Sequence, residues 1–197
     1  YFPDGLNGIT RFQLRLGRAV CPSDRVQDEA YELLSVPFDA SSAPIVLDGG
    51  VARELRITPD GARALYLADH DSDHVFELFS VPIGGGASPI QLSPPLAAGE
   101  RIGSFAFSPD GSRVVYERHT SPGSSHDGRL FSAPVDGSSA PIELTGAFVP
   151  GGDVVAFSFT PDGLHVVYSA DQLTLGVIEL FSVPIDGSQA PKPIVEF

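Results

Sequence analysis

The sequence predicts an all-β fold, a β-propeller or partial propeller of about four four-stranded antiparallel blades, and three observations lead there. The tripeptide Pro-Asp-Gly recurs at Pro3-Asp4-Gly5, Pro59-Asp60-Gly61, Pro109-Asp110-Gly111 and Pro161-Asp162-Gly163, with spacings of 56, 50 and 52 residues. A second landmark keeps the same order: Ser35-Val36-Pro37, Ser80-Val81-Pro82, Ser132-Ala133-Pro134 and Ser182-Val183-Pro184. A third follows at Ala43-Pro44-Ile45, Ser88-Pro89-Ile90, Ala140-Pro141-Ile142 and Ala190-Pro191. Self-similarity near ~50 residues, filled with short apolar segments, marks a radially repeated β structure whose copies bury their faces on one another. The repeats run approximately over residues 1–49, 50–96, 97–146 and 147–197 of a single propeller unit.

Each element of the repeat has a physical reason. Before the turn lies a proline-free run such as Glu100 to Phe107 or Asp153 to Phe159, and after it Arg63 to Leu67, Arg113 to Tyr116 and His165 to Tyr168. Runs this short and this rich in β-branched and aromatic residues read as buried strands. Between them, Pro59, Asp60 and Gly61, then Pro109, Asp110 and Gly111, then Pro161, Asp162 and Gly163 build the connecting hairpin turn. Proline presets the first central φ, aspartate suits the next place, and glycine takes the left-handed position after it. A third strand is expected at Phe76–Ser80, Gly128–Ser132 and Ile178–Ser182, then a tight turn at Gly84-Gly85, Asp136-Gly137 and Asp186-Gly187, then a fourth strand such as Ile142–Leu144. In-strand prolines are expected only on the third and fourth strands, where a missing N–H can face an outer edge. The first copy differs: its stretch from Leu6 to Glu32 is longer than its counterparts and holds Cys21, whose expected role is a buried thiol or an intermolecular bridge.

Taken together, Phe-Ser-Pro-Asp-Gly, then Arg-Val-Val-Tyr, then Leu-Phe-Ser-x-Pro-x-Asp-Gly, then Pro-Ile-x-Leu resembles the TolB-like β-propeller repeat over nearly the whole chain. The resemblance implies blades of four antiparallel strands and a location outside the cytoplasm, extracellular or in the cell envelope. Propellers of that family generally close with six to eight blades. The strand count expected here is 15, just under four blades. Such an arc leaves apolar blade faces to be covered, either by the rest of a larger propeller or by further copies of the chain in a ring or a filament. The chain has no Met and begins inside a repeat, which leads to the expectation of a mature, processed or excerpted chain.

Composition narrows the function classes. Net charge is −13, from 25 acidic against 12 basic residues, and nucleic-acid binding needs clustered cations that this surface lacks. No run approaches the ~18 apolar residues of a membrane span. Asp69, Asp71 and Asp73, with His70 and His74 between and beyond them, form the densest polar cluster; alternate carboxylates can converge on calcium, two histidines on a transition metal, and an acidic solvated turn uses the same residues. His119, Ser124, Ser125, His126 and Asp127 carry the residue types of a nucleophilic triad, but sequence neighbours in a Gly/Ser/Pro loop lack the rigid scaffold a triad requires, so a surface loop is expected there. No Gly-x-Ser-x-Gly segment occurs, and Gly84-Gly85-Gly86 precedes no helix, so neither a hydrolase elbow nor a phosphate loop is read. No catalytic residue and no cofactor other than calcium follows from the sequence. The first expectation is therefore a non-catalytic scaffold for protein partners or self-assembly. The rivals are the propeller portion of a larger serine peptidase or hydrolase that gates substrate access, and a metal- or sugar-binding propeller.

Overall fold

The structure, a computed structural model, describes residues 12–24, 31–50, 52–70, 75–120 and 127–195. Pro3-Asp4-Gly5, Asp71, Asp73, His74, Ser124, Ser125 and His126 lie outside the described residues. The fold is all-β. Among the described residues sixteen strands form four separate four-stranded antiparallel sheets, and no helix is long and apolar enough to cross a membrane.

The chain divides into two compact units, Tyr1–Leu92 and Ser93–Phe197. The first holds β1 (Gln13–Arg15), β2 (Arg18–Asp24), β3 (Tyr31–Pro37) and β4 (Ile45–Gly49), paired in that order, and β5 (Arg53–Ile57), β6 (Arg63–Ala68), β7 (Glu77–Pro82) and β8 (Ile90–Gln91), likewise. The second holds β9 (Arg101–Phe107), β10 (Arg113–His119), β11 (Gly128–Pro134) and β12 (Ile142–Glu143), then β13 (Val154–Phe159), β14 (His165–Ala170), β15 (Glu179–Pro184) and β16 (Lys192–Val195). Every sheet is a meander in chain order, so each blade closes on local hairpins.

The first copy departs from expectation. Its first hairpin turns at Leu16-Gly17, with Arg15 opposite Arg18, and both turn residues have positive φ, 44° and 78°. A two-residue loop with two left-handed residues has the twist a hairpin needs, so here Leu-Gly replaces Pro-Asp-Gly. This hairpin lies within the long stretch of the first copy, and it raises the strand count from 15 to the sixteen observed among the described residues. Pro22 lies in β2, a second strand, against the expectation that such strands lack proline; it sits opposite Leu33 and is buried. Cys21 is buried, 2% exposed.

In the other three copies the turn is the same small machine. Gly61 N–H donates to Thr58 O at 2.8 Å, and Gly111 to Ser108 O and Gly163 to Thr160 O do so at the same length. The Thr58 hydroxyl donates to Asp60 Oδ1 at 2.6 Å and accepts the Arg63 N–H at 3.0 Å, while Ala62 N–H donates to the same carboxylate. Donors aimed at an ionised carboxylate favour the charged form, and Asp60, Asp110 and Asp162 are all held below the usual aspartate range, by the Thr or Ser hydroxyl first, then by a backbone N–H, with the Ser112 hydroxyl coming between the two at Asp110.

Within each unit one sheet packs on the next through equivalent residues. Val20, Leu33 and Leu47 of the first sheet meet Ala64, Tyr66, Phe79 and Val81 of the second. Val115, Leu130 and Leu144 of the third meet Val166, Tyr168, Phe181 and Val183 of the fourth. Burying each such side chain contributes about 1.5–3 kcal/mol. Cross-strand Tyr–Phe pairs stack at 6.0, 5.7 and 5.1 Å between centroids, for Tyr66–Phe79, Tyr116–Phe131 and Tyr168–Phe181.

Candidate metal centre

Strand alternation places Glu117 and His119, two residues apart near the end of β10, on one face of the third sheet. Arg118 between them points the other way and pairs with Glu100 at 2.8 Å. Burial would raise the Glu100 carboxyl, but the Ala97 N–H and Arg118 outweigh it and hold the carboxyl below the usual range. The third member, Asp153, stands just before β13. It is pinned twice: its N–H donates to Asp171 Oδ1 at 2.7 Å, and its Oδ1 accepts the N–H of Gly128, the first residue of β11, at 2.6 Å. Arg129 straps the same corner, donating to Gly128 O and Gly152 O at 2.9 and 3.2 Å while its guanidinium lies 3.8 Å over the Phe148 ring.

One ligand atom from each of Glu117, His119 and Asp153 lies within 4.8 Å of the other two. Donor atoms that share one ion at 2.0–2.6 Å can stand no more than about 5 Å apart, so the three fit a single cation. His119 is only 4% exposed. Its Nε2 lies 3.2 Å from Glu117 Oε1 and its Nδ1 3.3 Å from Asp127 Oδ1. Asp127 is itself fixed, its Oδ2 accepting both the N–H and the hydroxyl of Thr120 at 3.0 and 3.2 Å. The Asp127 carboxylate thus stands within ion-pair range of the ring nitrogen that faces away from Glu117.

Two glycines make room. A Cβ at Gly103 would stand 2.7 Å from Glu117 Oε2, and one at Gly128 would overlap Glu117 Oε1 and approach Asp153 Oδ1 to 2.9 Å. A larger residue at either place would oblige the Glu117 carboxylate to shift from its position.

The densest polar cluster of the sequence behaves differently where it is described. Asp69 follows β6 and is half-buried, whereas His70 is drawn away to Asp48, with Nε2 2.8 Å from Oδ2, and packs edge-on against Phe79 at 4.6 Å. The same Asp48 oxygen accepts the Tyr66 hydroxyl at 2.5 Å. Burial, then the bond to Asp48, pushes the Tyr66 phenol far above its ordinary range. The loop reading of His119 is corrected: it is the last residue of β10, buried beneath Asp127, and the structure brings those two together. Glu117 and Asp153 escaped the sequence reading. The signal was available in the register of the repeats, where Tyr66-Leu67-Ala68-Asp69 and Tyr168-Ser169-Ala170-Asp171 stand against Tyr116-Glu117-Arg118-His119.

No family model matches the chain, and no curated protein matches it in sequence. Solved structures do match in shape. A puromycin-hydrolyzing peptidase of Mycobacterium tuberculosis aligns with a TM-score of 0.61 at 15% identity, over 98% of this chain and 31% of the peptidase. An uncharacterized protein of Listeria monocytogenes aligns at 0.60 and 13% identity, over 96% of this chain and 54% of that one. An oligogalacturonate lyase in complex with manganese aligns at 0.53 and 14% identity, over 93% of this chain and 55% of the lyase. The chain therefore spans 31% to 55% of the length of these three proteins. At such identities the likeness establishes the fold alone, and that fold is the β-propeller.

Proposed function

We propose that this chain is the propeller portion of a larger protein or assembly and that it serves as a cation-binding scaffold, holding one divalent metal ion through Glu117, His119 and Asp153. The observation that carries the reading is the convergence of a buried imidazole and two carboxylates within 4.8 Å, with glycines cleared around them. One nitrogen and two oxygen donors suit Mn²⁺ or Zn²⁺ better than Ca²⁺, which takes oxygen ligands throughout. Coverage of 31% of a peptidase and 55% of a manganese-bound lyase supports the view that blades like these serve as parts of larger proteins.

The test is a titration of the metal-free chain with Mn²⁺, followed by the loss of the free-ion electron paramagnetic resonance signal. One ion per chain, bound tighter than about 100 μM, is the expected result. His119→Ala and Asp153→Asn should each weaken binding at least about tenfold, while Ca²⁺ competes poorly. Failure to bind Mn²⁺ or Zn²⁺ at millimolar concentration overturns the reading.

A further inference from the structure

A cleft of about 320 Å³ opens between β9 and β13, beside the metal centre and lined in part by Glu117. Its size is at the lower end of small-molecule sites. Phe105, Ala106 and residues 154–157 form apolar walls, and Ser104 and Glu117 form the polar end. Glu117 belongs to both places at once. Oε1 faces His119 Nε2, whereas Oε2 is 3.5 Å from the Ser104 hydroxyl. The ladder between β13 and β14 is irregular between Val154 and Ala156, and Val155, at that irregularity, stands 62% exposed at the rim. Bulges beside binding sites commonly re-aim a side chain in this way.

We propose that this cleft binds a small carboxylate carrying an apolar group, with the carboxylate on the cation and the apolar group against Ala106, Val155 and Phe157. The inference rests on the cation reading above. Three protein ligands leave coordination positions open, as at metal sites that receive a ligand. A divalent ion offsets the charge of Glu117 and Asp153, so the loaded site repels an incoming anion less than the metal-free site does. The metal-free site presents the Glu117 carboxylate to that anion and repels it. Binding is therefore ordered: cation first, carboxylate second.

The experiment uses the full chain, Mn²⁺ and 3-phenylpropionate, with neutral 3-phenylpropanol as control. Mn²⁺ binding is measured first, by paramagnetic resonance; 3-phenylpropionate is then titrated calorimetrically into the metal-free and the loaded chain, and the relaxation of bulk water follows displacement of metal-bound water. The expected result is at least about tenfold tighter binding of the carboxylate to the loaded chain, the same advantage over the alcohol, and a fall in water relaxation. Ala156→Leu fills the cleft and Val155→Asp places a charge at its rim. Each should abolish 3-phenylpropionate binding and leave Mn²⁺ affinity unchanged, and circular dichroism checks the fold of both. If Mn²⁺ binds but the carboxylate does not distinguish loaded from metal-free chain, or if neither variant affects it, the cleft proposal is overturned while the cation reading stands. If Mn²⁺ itself fails to bind, both fall.

Discussion

The end of β6 and the end of β10 occupy the same place in two repeats, one residue beyond a fully buried tyrosine, and they are built from opposite materials. After Tyr66 come Leu67 and Ala68, both buried and both part of an apolar strand. After Tyr116 come Glu117, Arg118 and His119, whose side chains find Asp153, Glu100 and Asp127. The backbone pairing is alike: Leu67 sits opposite Leu78 as Glu117 sits opposite Leu130. What differs is the supply of neighbours. Glu117 has Gly103 and Gly128 to clear space and a histidine beside it, so a polar constellation is carried by a frame that elsewhere carries leucine. Chemistry in this chain is thus written in departures from the repeat.

Exchanging the two residues breaks the comparison most directly. Leu67→Glu puts a carboxylate at a position only 5% exposed, with leucine opposite it, and should cost roughly 3 kcal/mol or more of stability, read as a lower denaturant midpoint. Glu117→Leu should do the reverse. It removes one of two neighbouring carboxylates and replaces it with the residue its sibling uses, so the metal-free melting temperature should hold or rise while Mn²⁺ affinity falls at least about tenfold. Equal destabilisation by both changes would mean that Glu117 is structural cement and not a ligand.

This contrast also explains what could be read from residues alone. The turns, the strand order and the four-sheet plan were legible because each rests on local chemistry repeated three or four times: a Pro-Asp-Gly turn needs only its own few residues. The metal centre was not, because Asp153 reaches Glu117 only once β13 packs beside the third sheet, and in sequence Asp153 reads only as the start of a strand. In the Asp69 to Asp73 run the carboxylates are dense along the chain, and Asp71 and Asp73 lie outside the described residues. Of that run the described part shows His70 turning back to Asp48. The first hairpin was misplaced for a related reason, since Leu16-Gly17 performs the turn without the tripeptide that marks it elsewhere.

A second pair sharpens the comparison between the two units at a smaller scale. Tyr66 donates its hydroxyl to a carboxylate, Asp48, and Tyr168 donates to a neutral amide, Gln172, at 2.7 Å. Both rings are buried and both stack on phenylalanine. Hydrogen bonds to charged groups are worth about 1.5–3 kcal/mol and neutral ones about 1. Tyr66→Phe should therefore destabilise more than Tyr168→Phe in chemical denaturation. The reverse order would show that the Asp48 network contributes less than its geometry implies.

The smallest effect belongs to the turns that the copies share. Asp60, Asp110 and Asp162 are held below the ordinary aspartate value in the folded chain, which in an unfolded chain lies near ~3.9. A carboxyl with a depressed folded pKa binds protons more readily when the chain unfolds. Its contribution is complete above the unfolded value and is lost as pH falls through the lower folded value. The triple change of Asp60, Asp110 and Asp162 to Asn keeps an oxygen that accepts from the hydroxyl and the backbone N–H but removes the titration. Melting temperatures of parent and variant should then differ most at neutral pH and converge as the pH falls below the unfolded value of ~3.9. A gap that stays constant over that range would mean that the turn aspartates act through shape alone, and that acid sensitivity arises at the carboxylates which distinguish one copy from another.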